Sequence, residues 1–129
     1  MGSRRVYCGE ELPLCLAGSR LEFTTDVWPT IYHGGRIVER HERAGATYDG
    51  ASIPRVFWSI AGHPFEPQWR WASYWHDREC EASECPEDRM IADAIFLRLL
   101  REAGVGKWRR LAMWAAVRLY SIFIWRPKR

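Results

Sequence analysis

Residues 69–100 read WRWASYWHDRECEASECPEDRMIADAIFLRLL, and this stretch decides the fold because it predicts two consecutive helices that carry polar residues on apolar faces. Pro67 suits the first position of a helix that runs to about residue 78. Pro86, which is followed by two acidic residues at the positive end of the helix dipole, begins the second helix. Gly104 ends it, since glycine is the preferred residue just past a helix C-terminus.

Three polar residues lie within these apolar helices: His76 and Asp77 on the first, and Asp93 on the second. A carboxylate on a buried helix face is costly unless a partner binds it. If the two helices pack antiparallel, His76 and Asp93 can meet. One ring nitrogen would then donate to Asp93, which leaves the other as a base in a fixed tautomer. The alternative is a buried pair that only joins two helices.

Helical spacing assigns neighbours to each of these polar residues. Asp77 is rotated by about 100° from His76, so we expect it to face another direction, where it could bind a cation. Residues at i, i+3 and i+4 spacing share a face. The face of His76 therefore also holds Trp69, Ala72, Ser73 and Cys80, and the face of Asp93 also holds Met90, Ala94, Leu97 and Leu100.

The first part of the chain has turn signals and short strand-like runs in place of helical periodicity. The runs at residues 28–33 and 36–40 flank Gly34-Gly35, which predicts a hairpin. Residues 4–48 are predicted to form a small antiparallel sheet. Residues 52–125 are predicted to be helical, with a short helix at 54–60 after a Ser52 cap and a third main helix at 107–125. The sequence thus predicts one α+β domain, residues 1–129.

Composition and charge narrow the class of protein. A hydrophobic fraction of 47% with eight Trp predicts a compact globular chain and excludes disorder. We expect no signal peptide, because no apolar region follows the polar N-terminus. We expect no membrane span, because Arg118 interrupts the longest apolar stretch. Residues 77–88 hold six acids and one base, whereas residues 98–129 hold nine bases and one acid. These runs are either solvated surface or sites for a cation and an anionic partner, respectively.

The four cysteines form no CxxC pair, so a structural zinc site is not expected. Without a secretion signal we expect free thiols. A bridge between Cys80 and Cys85 is the alternative in an oxidising compartment.

A further candidate site is the loop TYDGASIP, residues 47–54. Asp49-Gly50 permits a positive φ, so backbone groups can converge on an ion there. Flexible backbone oxygens with one carboxylate suit calcium. The alternative is an ordinary turn that caps a following helix.

Several short motifs occur in a fixed order along residues 47–120. They are TYDGASIP at 47–54, Trp58, His76-Asp77, Arg89 with Ala92-Asp93 and Phe96, and Gly104-Val105 with Trp108-Arg109. In this pattern the chain resembles a family of small phage and prophage proteins of unknown function. The resemblance implies a protein of viral or prophage origin, located in the bacterial host cytoplasm or in the phage virion.

The order of calcium loop, His-Asp helix and Asp helix also resembles phospholipase A2, especially its short prokaryotic and viral forms. That resemblance implies a phospholipase A2-like helix pair in which His76 is the general base and Asp93 orients it. It implies that Asp77 and the backbone around Asp49, Gly50 and Ala51 bind calcium, which would polarise a lipid ester. The chain departs from the phospholipase pattern at Cys80, where the enzymes usually have Tyr.

The predicted last helix leaves the partner open. Its aromatic residues amid arginines fit either an interfacial helix on anionic lipid or a core helix with a basic outer face. Nucleic acid is not an expected partner, because no recognition motif is present.

The function is thus predicted to be calcium-assisted lipid ester hydrolysis. The alternative is a non-enzymatic phage accessory role, in tail assembly or in binding a host defence factor or its signal molecule.

Overall fold

The computed structural model describes residues 4–7, 12–18, 20–48 and 66–127. The chain divides into two compact units, Met1–Asp49 and Gly50–Arg129. The grouping of the whole chain into one domain stays a prediction. The α+β class is confirmed, with small sheets first and three helices after them.

The first unit contains two three-stranded sheets, whose strand orders are β1-β4-β5 and β2-β3-β6. The strands are β1 (Arg4–Tyr7), β2 (Leu14–Ala17), β3 (Arg20–Phe23), β4 (Val27–His33), β5 (Arg36–Glu39) and β6 (Thr47–Tyr48). The predicted hairpin is confirmed, since β4 and β5 pair antiparallel and Gly34 and Gly35 have φ of 60° and 77°. Positive φ at both central residues is what such a tight turn requires.

The single antiparallel sheet predicted for residues 4–48 is wrong in two details. The strands form two sheets, and β1 pairs parallel with β4. A parallel pair needs a long connection between its strands, and here the connection contains β2 and β3. Alternation along each strand predicts which face is buried but not the direction of the partner. In β3 it does so correctly, since Leu21 and Phe23 are buried and Arg20 is exposed.

Over its described residues, 66–127, the second unit contains a 3₁₀ turn at Pro67–Trp69 and three α-helices: α1 (Arg70–Glu81), α2 (Pro86–Glu102) and α3 (Lys107–Phe123). These bounds lie within a few residues of the predicted ones. Gly104, with φ of 81°, follows the end of α2. The predicted short helix at 54–60 and its Ser52 cap lie outside the described residues.

Helix α2 packs against both α1 and α3. The helices are rich in buried aromatic side chains, and the Phe96 ring of α2 lies 4.7 Å from the His76 ring of α1. The predicted face of α1 is buried throughout, from Trp69 to Cys80. The predicted face of α2 is wrong in part, because Met90 and Ala94 are exposed. The buried residues of α2 are Arg89, Ala92, Asp93, Ile95, Phe96, Leu99 and Leu100.

Over the described ranges, none of the helices has both the length and the apolar character to cross a bilayer. Helix α3 nevertheless has large apolar side chains on its outer surface, among them Trp108, Leu119, Ile122 and Phe123. Met113, Ala116 and Val117 of the same helix face the core. Helix α3 is therefore a core helix, while its contact with anionic lipid stays a prediction.

Candidate functional site

The structure brings His76 of α1 and Asp93 of α2 together. The His76 Nε2 atom lies 2.7 Å from Asp93 Oδ1, and both side chains are fully buried. Each residue lies on the buried face of its helix, flanked by apolar neighbours. The pairing expected from helical spacing is therefore present, while the catalytic roles of both residues stay predictions.

The second carboxylate oxygen of Asp93 binds helix α3. Asp93 Oδ2 accepts hydrogen bonds from Arg118 Nη1 at 2.9 Å and from Ser121 Oγ at 2.8 Å. Ser121 Oγ accepts one in turn from Arg89 Nε at 3.0 Å. One carboxylate thus links all three helices, and its charge is balanced within the site by the Arg118 guanidinium.

Sequence reasoning missed Arg118, Ser121 and Arg89 as members of this site. Arg118 carried a usable signal, because a charge that interrupts an apolar helix needs a partner just as Asp93 does. Arg89 is buried although arginine is almost never fully buried unless paired. Its guanidinium lies 5.6 Å from the Tyr120 ring and 5.4 Å from the Trp125 ring, as well as bonding Ser121.

The surroundings of His76 favour its neutral form. Burial lowers the pKa of His76, and the positive charge of Arg89 lowers it further, against the opposing effect of the Asp93 carboxylate. Since Asp93 Oδ1 is an acceptor, the Nε2 atom of the neutral ring is the nitrogen that bears hydrogen and donates. The Nδ1 atom is then the basic nitrogen.

Cys80 lies beside the pair without forming a catalytic relay. Its Sγ atom is 3.4 Å from His76 Nε2, the same nitrogen that faces Asp93. In a nucleophile–histidine–acid relay the nucleophile and the acid contact opposite ring nitrogens. Burial raises the pKa of the Cys80 thiol well above its usual range, so it stays protonated. Cys15, Cys80 and Cys85 are all free thiols, as expected.

One set of donors among the described residues could hold a metal. The Nε2 atom of His76, the Sγ atom of Cys80 and a carboxylate oxygen of Asp93 lie within 4.8 Å of one another. Sulfur and imidazole donors suit zinc more than calcium, which prefers oxygen. A metal at these atoms would have to replace the hydrogen bond between His76 and Asp93, because both use the same donor atoms.

Of the predicted calcium ligands, only Asp77 lies in the described part of the chain. Its carboxylate is buried, and Oδ2 is 3.8 Å from Arg78 Nη1. A buried carboxylate oxygen is the type of donor that calcium prefers. Asp49, Gly50 and Ala51 lie outside the described residues, so the calcium site as a whole stays a prediction.

Two matches by sequence relate this chain to known proteins. The model of a family described as "protein of unknown function (DUF1353)" matches residues 28–117, which include His76 and Asp93 and end one residue before Arg118. The chain is also 42% identical over 79 residues to the uncharacterized protein y4jT of Sinorhizobium fredii (strain NBRC 101917 / NGR234). That alignment covers 60% of this chain and 22% of y4jT, so the chain spans about a fifth of that curated relative. No solved structure matches the chain.

Proposed function

We propose, from the premise that the chain belongs to the DUF1353 family of proteins of unknown function, that His76 and Asp93 serve calcium-assisted hydrolysis of a lipid ester. One observation carries the proposal: the 2.7 Å bond between His76 Nε2 and Asp93 Oδ1 in a fully buried site. A general base needs a fixed tautomer and a neutral ring at the working pH. This bond fixes the tautomer, and burial keeps the ring neutral by lowering the pKa of His76.

The rest of the network supports the same role for His76. Arg118 and Ser121 fix the Asp93 carboxylate from α3, so the carboxylate can hold the imidazole in one orientation. With Nε2 committed to Asp93, Nδ1 is the atom that would take a proton from water. The Asp93 charge would stabilise the imidazolium that forms as water attacks an ester.

Calcium would polarise the ester carbonyl and stabilise the negative charge of the tetrahedral intermediate. Asp77 would hold it together with the backbone of Asp49, Gly50 and Ala51. Asp77 is adjacent to His76 in sequence, so its carboxylate is attached to the same turn of α1 as the base. That adjacency supports a shared site for the metal and the base.

A lipid substrate is supported by helix α3. Its outer surface exposes Trp108, Leu119, Ile122 and Phe123, and residues 103–129 contain seven basic residues and no acidic one. Apolar side chains flanked by positive charge favour an anionic lipid surface. We therefore propose such a surface as the partner.

The biological setting we propose is a phage or prophage, on the resemblance of the TYDGASIP, His-Asp and Ala-Asp motifs. The protein would act in the bacterial host cytoplasm or as a minor virion component. Mass spectrometry of purified virions separates these two locations. Capture with the tagged protein from infected cells would identify a phage or host protein partner.

A non-enzymatic role is the second candidate, and complete burial of the site is the observation that favours it. His76 and Asp93 have no exposed surface, and the bonds of Asp93 join α1, α2 and α3. A buried polar network of this kind can exist for stability and specificity alone. The protein would then act in tail assembly or in binding a host defence factor or its signal molecule.

The deciding experiment measures fatty-acid release from mixed phospholipid vesicles with calcium or with a chelator. The variants are His76→Gln, which removes the base but keeps an amide donor, His76→Ala and Asp77→Asn. Glu87→Gln, an exposed change on α2, is the matched control. We expect wild type and the control to be active only with calcium, and both His76 variants to lose about 10²–10⁴-fold in rate. Asp77→Asn should lose the response to calcium.

Two results would contradict the hydrolase proposal: no calcium-dependent release by wild type, or a His76→Gln variant as active as wild type. Either would leave the non-enzymatic role. A rise in melting temperature with calcium but no turnover would indicate a metal site on a catalytically silent scaffold.

A further inference from the structure

A cavity lies between α2 and α3 of the helical unit. Its volume is about 210 Å³, and it is lined by Ala94, Leu97, Arg98, Arg101, Arg110 and Leu111. None of these residues belongs to the His76–Asp93 network. The lining combines three apolar residues with three arginines.

Three arginines lie beside this cavity, and their described contacts differ. Arg98 Nε lies 3.6 Å from Glu102 Oε1, and Arg110 Nη1 donates to the Val105 carbonyl oxygen at 3.1 Å. Arg101 is exposed. Like charges that lie close together repel each other, and an anion placed beside Arg101 and Arg110 would reduce that cost. Guanidinium groups bind phosphate with paired, charge-assisted hydrogen bonds.

The apolar part of the lining favours a ligand that carries hydrocarbon in addition to an anionic group. Ala94, Leu97 and Leu111 provide hydrocarbon surface next to the guanidinium groups. At about 210 Å³ the cavity is smaller than the roughly 300–1,000 Å³ of typical ligand pockets. It can therefore hold the head of a ligand and the first part of an attached chain, but not a whole lipid.

We infer that this cavity binds the phosphate group of an alkyl phosphate, with its hydrocarbon chain lying along Leu97 and Leu111. The phosphate would contact Arg101 and Arg110. Such a ligand could be a phospholipid headgroup in a membrane or a soluble alkyl phosphate monoester. The exposed apolar side chains of α3, the helix that carries Arg110 and Leu111, favour the membrane source.

This inference does not depend on chemistry at His76. Its test is binding of a probe without an ester that the proposed hydrolase would cleave. Calorimetric titration with hexyl phosphate, in the presence of a calcium chelator, measures the affinity. Inorganic phosphate in the same buffer measures the contribution of the head alone.

Two kinds of variant test the two halves of the site. Arg101→Gln and the double variant Arg101→Gln/Arg110→Gln remove the proposed phosphate ligands. Ala94→Trp fills the apolar part. The matched control is Arg20→Gln/Arg36→Gln, which removes the same two charges at exposed positions of the sheets. Circular dichroism and melting temperature establish that each variant is folded.

We expect hexyl phosphate to bind wild type and the control equally, and more tightly than inorganic phosphate. The double variant should bind it at least about tenfold more weakly, because it loses the charge-assisted hydrogen bonds to the phosphate. Ala94→Trp should bind it at least about tenfold more weakly as well, because the indole occupies the space of the hydrocarbon chain. Arg101→Gln, an exposed change that should not disturb folding, should show an intermediate loss. Raised salt should weaken binding as well.

Vesicles separate the two sources of the ligand. Sedimentation with phosphatidylglycerol-containing vesicles, compared with pure phosphatidylcholine, should retain wild type and release the double variant if the membrane is the source. Binding of hexyl phosphate without vesicle binding would support the soluble source. The inference is overturned if hexyl phosphate does not bind, if inorganic phosphate binds as tightly, or if both variants bind like wild type. His76→Gln should bind hexyl phosphate normally, so failure here is distinguishable from failure of the hydrolase proposal.

Discussion

Asp93 Oδ2 accepts a 2.8 Å hydrogen bond from Ser121 Oγ, which joins the middle of α2 to the C-terminal half of α3. The other oxygen of the same carboxylate accepts from His76 on α1. The site is therefore as much a junction of three helices as a candidate catalytic centre. Stability measurements and chemical measurements on the same residues should separate these two aspects.

Asp93→Asn should be strongly destabilising. The variant keeps the shape of the side chain but leaves Arg118 and His76 facing a neutral amide. Breaking a buried ion pair from one side costs about 3–5 kcal/mol, and the lower end applies because 20% of the Arg118 side chain is exposed. Urea unfolding should show this loss in the free energy of unfolding. Glu87→Gln, on the exposed first turn of the same helix, should stay within about 0.5 kcal/mol of wild type.

Two buried serines form a matched pair for the hydrogen-bond network. Ser121→Ala removes a donor to Asp93 and an acceptor for Arg89, so it should lower the free energy of unfolding by about 1–3 kcal/mol. Ser73 is equally buried, but its Oγ has no hydrogen-bond partner among the described residues. Ser73→Ala should therefore be close to neutral. Equal losses in the two variants would show that the network contributes no stability of its own.

The depressed pKa of His76 predicts loss of stability in mild acid. In the unfolded chain the histidine takes up a proton near its ordinary pKa of 6.5, whereas burial keeps it neutral in the folded protein. The unfolded state then binds more protons, so the free energy of unfolding should fall as pH drops below 6.5 and continue to fall until the folded-state pKa is reached. The slope from this one group can reach about 1.4 kcal/mol per pH unit. Between pH 7.5 and 5, the melting temperature should fall more steeply with decreasing pH for wild type than for His76→Gln. An identical pH dependence in the two proteins would show that His76 does not titrate on unfolding.

Cys80 should be unreactive in the native protein. Its thiol is buried and stays protonated, whereas thiol reagents need an accessible thiolate. Titration with a chromogenic disulfide should give the same number of reactive thiols for native wild type and native Cys80→Ala. In denaturant the variant should show one fewer than the four of wild type. If native Cys80→Ala instead showed one fewer rapidly reacting thiol than native wild type, Cys80 would be accessible and ionised.

The parts of the fold that sequence predicted are those fixed by local signals. The helix ends follow from Pro86 and Gly104, and the β4–β5 turn follows from Gly34-Gly35. The parallel pairing of β1 with β4 was not predictable, because β1 finds its partner across two other strands. Local periodicity contains no information about such a distant partner.

In the candidate site, too, only the residues that local sequence signals mark were predictable. His76 and Asp93 stand out as polar residues on apolar helices, and they do meet. Helical spacing assigns Met90 and Ala94 to the buried face of α2, whereas the structure buries Arg89 on that turn. Burial of an arginine depends on Ser121 and the rings of Tyr120 and Trp125, which only the packing of α3 supplies. The contacts of Ser121 are hidden from the sequence for the same reason, whereas Arg118 is marked as a charge within an apolar helix.

We infer that His76 is neutral, donates through Nε2 to Asp93, and keeps Nδ1 as a base. Nitrogen-15 NMR of the histidine side chains measures this directly, with the His76 signals assigned by their absence in His76→Gln. At neutral pH the account predicts a protonated Nε2 in slow exchange with solvent and an unprotonated Nδ1, with no change down to pH values below 6.5. A proton on Nδ1, or a charged ring at neutral pH, would contradict it.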